Sequence, residues 1–197
     1  MKRVLLTNGD SSPAKVNKFC PQALFLYGTY KEDGSPNFGL FSWISYAWDG
    51  ELCVMACIGE EKLTKDRIHA TGVFSANLVS EELLPLADWF GNHEGYTTDK
   101  AAAGAEVERG SALNVPLLAK SPWSFELELK RSIPLDGGEI FLCRIASVTA
   151  DERLADETLS VEARAALVTP AIYMGINHYA GLRPEGLGAP GDWKEAR

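Results

Sequence analysis

Two short stretches carry residue types whose chemistry could act together. Lys62-Leu63-Thr64-Lys65-Asp66-Arg67 sets three cations within six residues, where an apolar run ends and a helical pattern begins. Unpaired backbone N–H groups at a helix start, a hydroxyl beside them and neighbouring cations suit an anion of phosphate size. The same residues also read as a solvated helix start whose lysines pair with Glu60 and Glu61. The second stretch is Asn37 followed by Ser42-Trp43-Ile44-Ser45-Tyr46, in which polar groups alternate with large rings. On one continuous strand Trp43 and Ser45 share a face, and Ser42, Ile44 and Tyr46 share the other. A planar ligand could lie against such a strand, stacked on side chains and bonded to main-chain groups at its edge. An ordinary half-buried strand has the same pattern.

Short strands and tight turns must position these residues. Residues 23–30, 38–47 and 52–58 read as three strands joined at Asp33-Gly34 and Asp49-Gly50, an antiparallel meander. In that meander the end of the third strand lies beside the start of the hairpin carrying Asn37, so ring site and anion site form one groove. A short helix is expected from Thr64, as N-cap, to just before Gly72. A strand over 73–79 and a helix over 80–91 with Pro85 in its first turns come next. Residues 91–110 read as a loop holding a short helix. The run 124–132 alternates Phe125, Leu127 and Leu129 inward with Glu126, Glu128 and Lys130 outward, and Asp136-Gly137-Gly138 returns it into 139–148. An acidic stretch, a weak helix near 161–167 and a Gly/Pro-rich tail complete a single domain over 1–197. Six strands with few helices predict a mainly β, α+β barrel or sandwich with helical decoration.

With 19 Lys and Arg against 27 Asp and Glu the net charge is −8, which argues against duplex nucleic acid or an anionic membrane as partner. One phosphorylated small molecule remains compatible, and the excess at Lys62, Lys65 and Arg67 is where it would sit. Cys20, Cys53, Cys57 and Cys143 form no CxxC and have no histidine at ligand spacing, which argues against zinc and for a reducing compartment. Cys53 and Cys57 read as small buried hydrophobes. The N-terminus lacks a signal peptide's apolar region and no apolar run reaches membrane-span length, so the expected location is the cytoplasm. GxxxxGK[ST], GxSxG and HExxH are absent, and His69, His93 and His178 are widely spaced. Gly186-Leu-Gly188-Ala-Pro-Gly191 matches GxGxxG but follows no strand and opens no helix.

From about residue 19 to 151 the chain resembles the flavin reductase-like, FMN-binding split-barrel family, in its flavoredoxin-like branch. The resemblance rests on Asp33-Gly34-Ser35-Pro36-Asn37, Phe41-Ser42-Trp43-Ile44-Ser45, Lys62-Leu63-Thr64 with Ile68, Gly72-Val73-Phe74-Ser75-Ala76-Asn77, and Gly137-Gly138 before the last long strand. It implies a six-stranded antiparallel split barrel, a homodimer and one tightly bound FMN per subunit near the dimer interface, with residues 152–197 as an extension. Asn37 and Trp43 would stand beside the flavin, with the backbone of Ser42, Ile44 and Ser45 along the ring edge. Thr64 and Lys62 would hold the phosphate, Lys100 would lie near the pyrimidine end of the ring, and Tyr179 or Tyr173 would cover the flavin. The chain departs from the family in having Trp48-Asp49-Gly50 where reductases carry Pro-Pro, and Glu139 in place of a histidine. The implied activity is NAD(P)H-dependent flavin oxidoreduction, with NAD(P)H as reductant and a flavin, metal or protein as acceptor. The alternative is a flavoredoxin-like electron carrier or flavin-binding module without its own turnover.

Overall fold

In the computed structural model, residues 2–3, 19–175, 178–188 and 190 are described. The N-terminal segment read for targeting and part of the Gly186–Gly191 motif lie outside them. The strands are β1 (Gln22–Ala23), β2 (Phe25–Tyr30), β3 (Pro36–Phe41), β4 (Ile44–Trp48), β5 (Leu52–Gly59), β6 (Val73–Leu78), β7 (Val107–Arg109), β8 (Pro116–Leu118), β9 (Trp123–Leu135), β10 (Gly138–Ala150), β11 (Ala171–Tyr173) and β12 (Tyr179–Gly181). The helices are α1 (Leu63–Thr71), α2 (Leu84–Gly91) and α3 (Val161–Val168).

Seven strands form the main antiparallel sheet in the order β3-β2-β6-β9-β10-β5-β4. Six were expected, and the difference is the run 38–47, which is two strands at opposite edges of the sheet. Ser42 and Trp43 break it: Ile44 N–H bonds back to Ser42 O at 3.2 Å, and Trp43 O accepts from Cys57 N–H at 2.8 Å. The three-strand meander is therefore corrected, because β3 pairs with β2 and β4 with β5, but β3 does not pair with β4. Since two residues join the edge strands, the edges must converge there, and the sheet curls into a barrel split along that seam.

Phe25, Tyr27, Val54, Ala56, Ile58, Phe74, Phe125, Leu127 and Phe141 fill the barrel, with Ile68 of α1 packed among them. The alternate residues Leu24, Leu26 and Phe38 pack under Leu83, Ala87 and Phe90. β2 is thus buried on both faces, and Thr29 is the one buried polar side chain it carries besides the Tyr27 hydroxyl. β5 is not, since Leu52 and Met55 are exposed. α1 stops where Gly72, at φ 74°, takes the left-handed conformation and returns its N–H to Ile68 O at 2.7 Å. The C-terminal extension returns to the start of the chain, β11 pairing with both β1 and β12.

Glu126 reverses an expectation. It is fully buried rather than solvated. Its carboxylate accepts hydrogen bonds from Ser111 N–H and Oγ at 2.9 and 3.0 Å, and from Ala112 and Leu113 N–H at 3.0 and 2.6 Å. Strand alternation predicts a side, but here a loop folds over that side and supplies donors in place of water. Glu126→Ala leaves three part-buried amides without their acceptor and empties a buried site, lowering the unfolding free energy by about 2 kcal/mol. Chemical denaturation measures that loss, and limited proteolysis should show earlier cleavage within 110–114.

Candidate functional site

α1 begins two residues earlier than expected. Lys62 is the N-cap and Thr64 sits inside the first turn without capping it. The threonine hydroxyl is engaged by another element, accepting from Asn37 Nδ2 of β3 at 3.3 Å. Asn37 is 1% exposed, and Nδ2 also approaches Thr29 Oγ1 at 3.4 Å, while its Oδ1 has no partner among the described residues. An orphaned, buried acceptor at the edge of a cavity is a position that a ligand group fills. Gly95 crosses close by: a Cβ built there would stand 2.6 Å from Asn37 Oδ1, so only glycine leaves this space open.

Asn37, Thr64, Lys62, His93 and Lys100 line one small cavity. It shares Leu40, Phe41, Lys62 and Gly91 with a groove of about 550 Å³, whose walls include Ser42, Trp43, Cys57 and the Gly137-Gly138 turn. Trp43 is 55% exposed and lies 3.4 Å from the point where a Gly59 Cβ would be, so its ring rests on the end of β5 with a free face. The polar end therefore opens directly onto an aromatic-walled space.

The cations are distributed differently from their sequence order. Lys62 pairs with Glu94 at 2.8 Å and Glu60 at 3.3 Å, and the Glu94 carboxylate pushes its amine up. Lys65 bonds to Glu60 O at 3.0 Å and Glu61 at 3.3 Å, while Arg67 bonds to Tyr30 O and Glu32. Neither Lys65 nor Arg67 lines the groove. The second cation is Lys100, from the 3₁₀ turn Lys100–Ala103. It is 5% exposed and donates to Phe38 O at 2.7 Å and Phe90 O at 2.9 Å. An ammonium has three N–H groups, so one remains for a ligand. Lys100 lies in the same cavity as Thr64, not apart from it at a distant end of the groove. Burial pushes its amine down to about 8.

The segment 42–45 divides rather than forming one edge. Ser42 and Trp43 face the groove, whereas Ile44, Ser45 and Tyr46 line an apolar cleft of about 420 Å³ with Phe25, Trp123 and Phe125. The expected pairing of Trp43 with Ser45 on one face fails because the chain turns between the two strands. Tyr179 is drawn elsewhere: its hydroxyl donates to Asp88 of α2 at 2.7 Å, and burial together with that carboxylate pushes its pKa up to about 12. Tyr173 lies beside it, ring centroids 6.1 Å apart, and neither tyrosine lines the groove.

Sequence spacing missed His93. Its Nδ1 is 2.7 Å from Trp89 O, which can only accept, so Nδ1 carries the proton, and Nε2 has no hydrogen bond among the described residues. Its ring stacks on Trp89 at 4.1 Å, and the one available signal was the i, i+4 spacing of the pair at a helix end. Glu139, which stands where the family histidine was expected, meets His69 of α1 at 2.9 Å. Burial pushes the Glu139 carboxyl up, but hydrogen bonds from Ser132 and His69 and the nearby charges of His69 and Lys65 together hold it below the usual range.

Residues 17–181 match the flavin reductase like domain, and the chain belongs to that family. It is thus a flavin-related redox protein. No curated relative matches the sequence. Among solved structures, the flavoredoxin of Methanosarcina acetivorans superposes with a TM-score of 0.82 at 18% identity, covering 98% of this chain and 97% of that one. The flavoredoxin of Desulfovibrio vulgaris (Miyazaki F) gives 0.79 at 22% identity, over 96% and 100%. The 2-nitrobenzoate 2-nitroreductase of Pseudomonas fluorescens gives 0.81 at 19%, over 100% of both chains. These likenesses confirm the split-barrel fold. Among the described residues no helix is long and apolar enough to cross a membrane, and no group of side chains could hold a metal ion.

Lys100 has a measurable pH signature. Its folded pKa of about 8 lies below the ordinary 10.5, so between those values the unfolded chain binds the additional proton. Stability therefore rises with pH through that window; below it, where both states are charged, the burial penalty is present in full and independent of pH. Denaturation midpoints measured from pH 7 to 10 should show the rise in the wild type, and Lys100→Met should remove it.

Proposed function

We propose that the chain is an FMN-binding oxidoreductase that takes reducing equivalents from NADH or NADPH and passes them to a flavin, metal or protein acceptor. One observation carries this reading: a continuous groove that has a buried polar end with two lysines, a threonine and an orphaned amide oxygen, and an aromatic wall at the other. The donor set suits a phosphate with a ribityl chain, and the wall suits a planar ring. FMN, when bound, supplies the hydride and electron chemistry. The protein's part is to bind and orient it. The first amides of α1, the Thr64 hydroxyl and Lys62 would hold the phosphate, Lys100 would offer its remaining N–H, and Asn37 Oδ1 would accept from a ligand hydroxyl or imide. The free face of Trp43 would stack on the ring, with Phe41 and Leu40 excluding water beneath it.

The exposed edge of the β4–β5 hairpin supports a second copy as partner. Trp48 stands opposite Leu52 on one side of the hairpin, next to the cleft that Tyr46 lines, and Met55 is exposed on the other side, all on an edge strand with unpaired backbone groups. A homodimer packed on this edge would cover the groove's open side, and Trp48→Glu should shift the sedimentation coefficient toward the monomer.

The purified protein should absorb near about 450 nm with bound FMN, and anaerobic NADH or NADPH should bleach that band in a stopped-flow record. A flavin band that neither nucleotide bleaches would favour the carrier reading, which agrees with the flavoredoxins among the structural neighbours. Thr64→Ala should weaken FMN binding by on the order of 1–3 kcal/mol, measured by fluorescence titration. Trp43→Ala should shift the flavin spectrum, and an unchanged spectrum and affinity would remove Trp43 from the site. Gly95→Ala should abolish FMN binding by crowding Asn37.

A further inference from the structure

The groove uses Lys62 and Lys100 but leaves a second concentration of positive charge around the other end of α1. A cleft of about 600 Å³ lies between the β2–β3 turn, the C-terminal half of α1 and the loop after β7, and Lys31, Arg67 and Arg109 line it. In a chain of net charge −8, Glu32 is the only acid on its walls among the described residues.

Arg67 is built in. Its side chain is 14% exposed, Nε donates to Tyr30 O at 2.9 Å, and Nη1 meets Glu32 at 3.2 Å. Nη2 has no acceptor among the described residues. Glu32 is 91% exposed, so its pairing with Arg67 is solvent-screened and readily exchanged. Lys31 and Arg109 make no ion pair among the described residues. The far wall is also rigid: the buried Glu126 carboxylate holds the backbone of 111–113, between Arg109 and Asn114, both of which line the cleft. Three cations held around one cavity with a single exposed acid repel one another, and an anion with several charged oxygens relieves that repulsion. The volume lies in the range of small-molecule sites, larger than a lone phosphate needs.

The geometry points to a second anion site in this cleft, one that takes the phosphate groups of a nucleotide-sized ligand. The site is separate from the groove, and only its assignment to NADPH rests on the proposed oxidoreductase reading. Its ligand chemistry has two sources, the 2′-phosphorylated adenosine end of NADPH or a free nucleoside diphosphate.

The test is calorimetric titration of the full chain, with excess FMN present, using adenosine 2′,5′-bisphosphate, ADP and inorganic pyrophosphate as probes. One saturable site per chain is expected for at least one probe. Its affinity should fall about tenfold or more in Lys31→Ala and in Arg109→Ala, as the loss of one charge-assisted contact implies. Both variants alter partly or fully exposed rim side chains, and unchanged thermal transitions would show that they fold. Tighter binding of the 2′,5′-bisphosphate than of ADP assigns the site to NADPH, and the reverse order assigns it to a free nucleotide. No saturable binding by any probe, or equal affinity in wild type and both variants, overturns the site. FMN is read separately by its own absorbance, so failure of the flavin groove is distinguishable from failure of the cleft.

Discussion

Two residues, Ser42 and Trp43, join the two outermost strands of the seven-stranded sheet, and most of the molecule follows from that short connection. A flat sheet cannot have its edges two residues apart. The strands must curl, the large apolar residues of β2, β5, β6, β9 and β10 then face one interior, and α1 carries Ile68 into the end of the barrel. The same corner sets Ser42 and Trp43 on the groove while sending Ile44, Ser45 and Tyr46 to a different cleft. The candidate site is therefore a by-product of closure: it opens where the seam cannot pair.

Isolated buried charges do much of the positioning. Lys100 ties β3 to the end of α2 through two carbonyls, and Glu126 ties β9 to the 111–113 loop through amides and a hydroxyl. The carbonyls that Lys100 meets are buried and the amides that Glu126 meets are part-buried, and these bonds offset part of the cost of taking each side chain out of water. Asn77 plays a neutral version of the same role, donating to Leu26 O and Ser75 Oγ while accepting from Leu118 N–H and Ser124 Oγ. Unlike these, Asn37 retains an unfilled acceptor, and this difference separates a structural hub from a group kept for a ligand.

Parts of this arrangement were legible in the chain. Lys62, Thr64 and Asn37 do converge, though through α1 docking on β3 and not through a meander. The six expected strands are present, with one divided in two. The capping role given to Thr64 fails because Asn37 engages its hydroxyl. Lys65 follows Thr64 on a neighbouring face of α1 and so leaves the groove, while Arg67, three residues on, is drawn off by Tyr30 O and Glu32. Tyr179 pairs with Asp88 and is lost to the site.

The sequence by itself determined the strand runs, their turns at Asp33-Gly34, Asp49-Gly50 and Gly137-Gly138, the helix stop at Gly72 and the family to which the chain belongs. All are local patterns: periodicity, positive-φ glycines and ordered short motifs. Only the tertiary structure decided which cations share a cavity, that Glu126 is buried, that His93 has one ring nitrogen engaged, and that Lys31, Arg67 and Arg109 face a common cleft. Those facts depend on which loop folds over which strand. Long-range packing sets that geometry, and residue spacing along the chain carries almost no record of it.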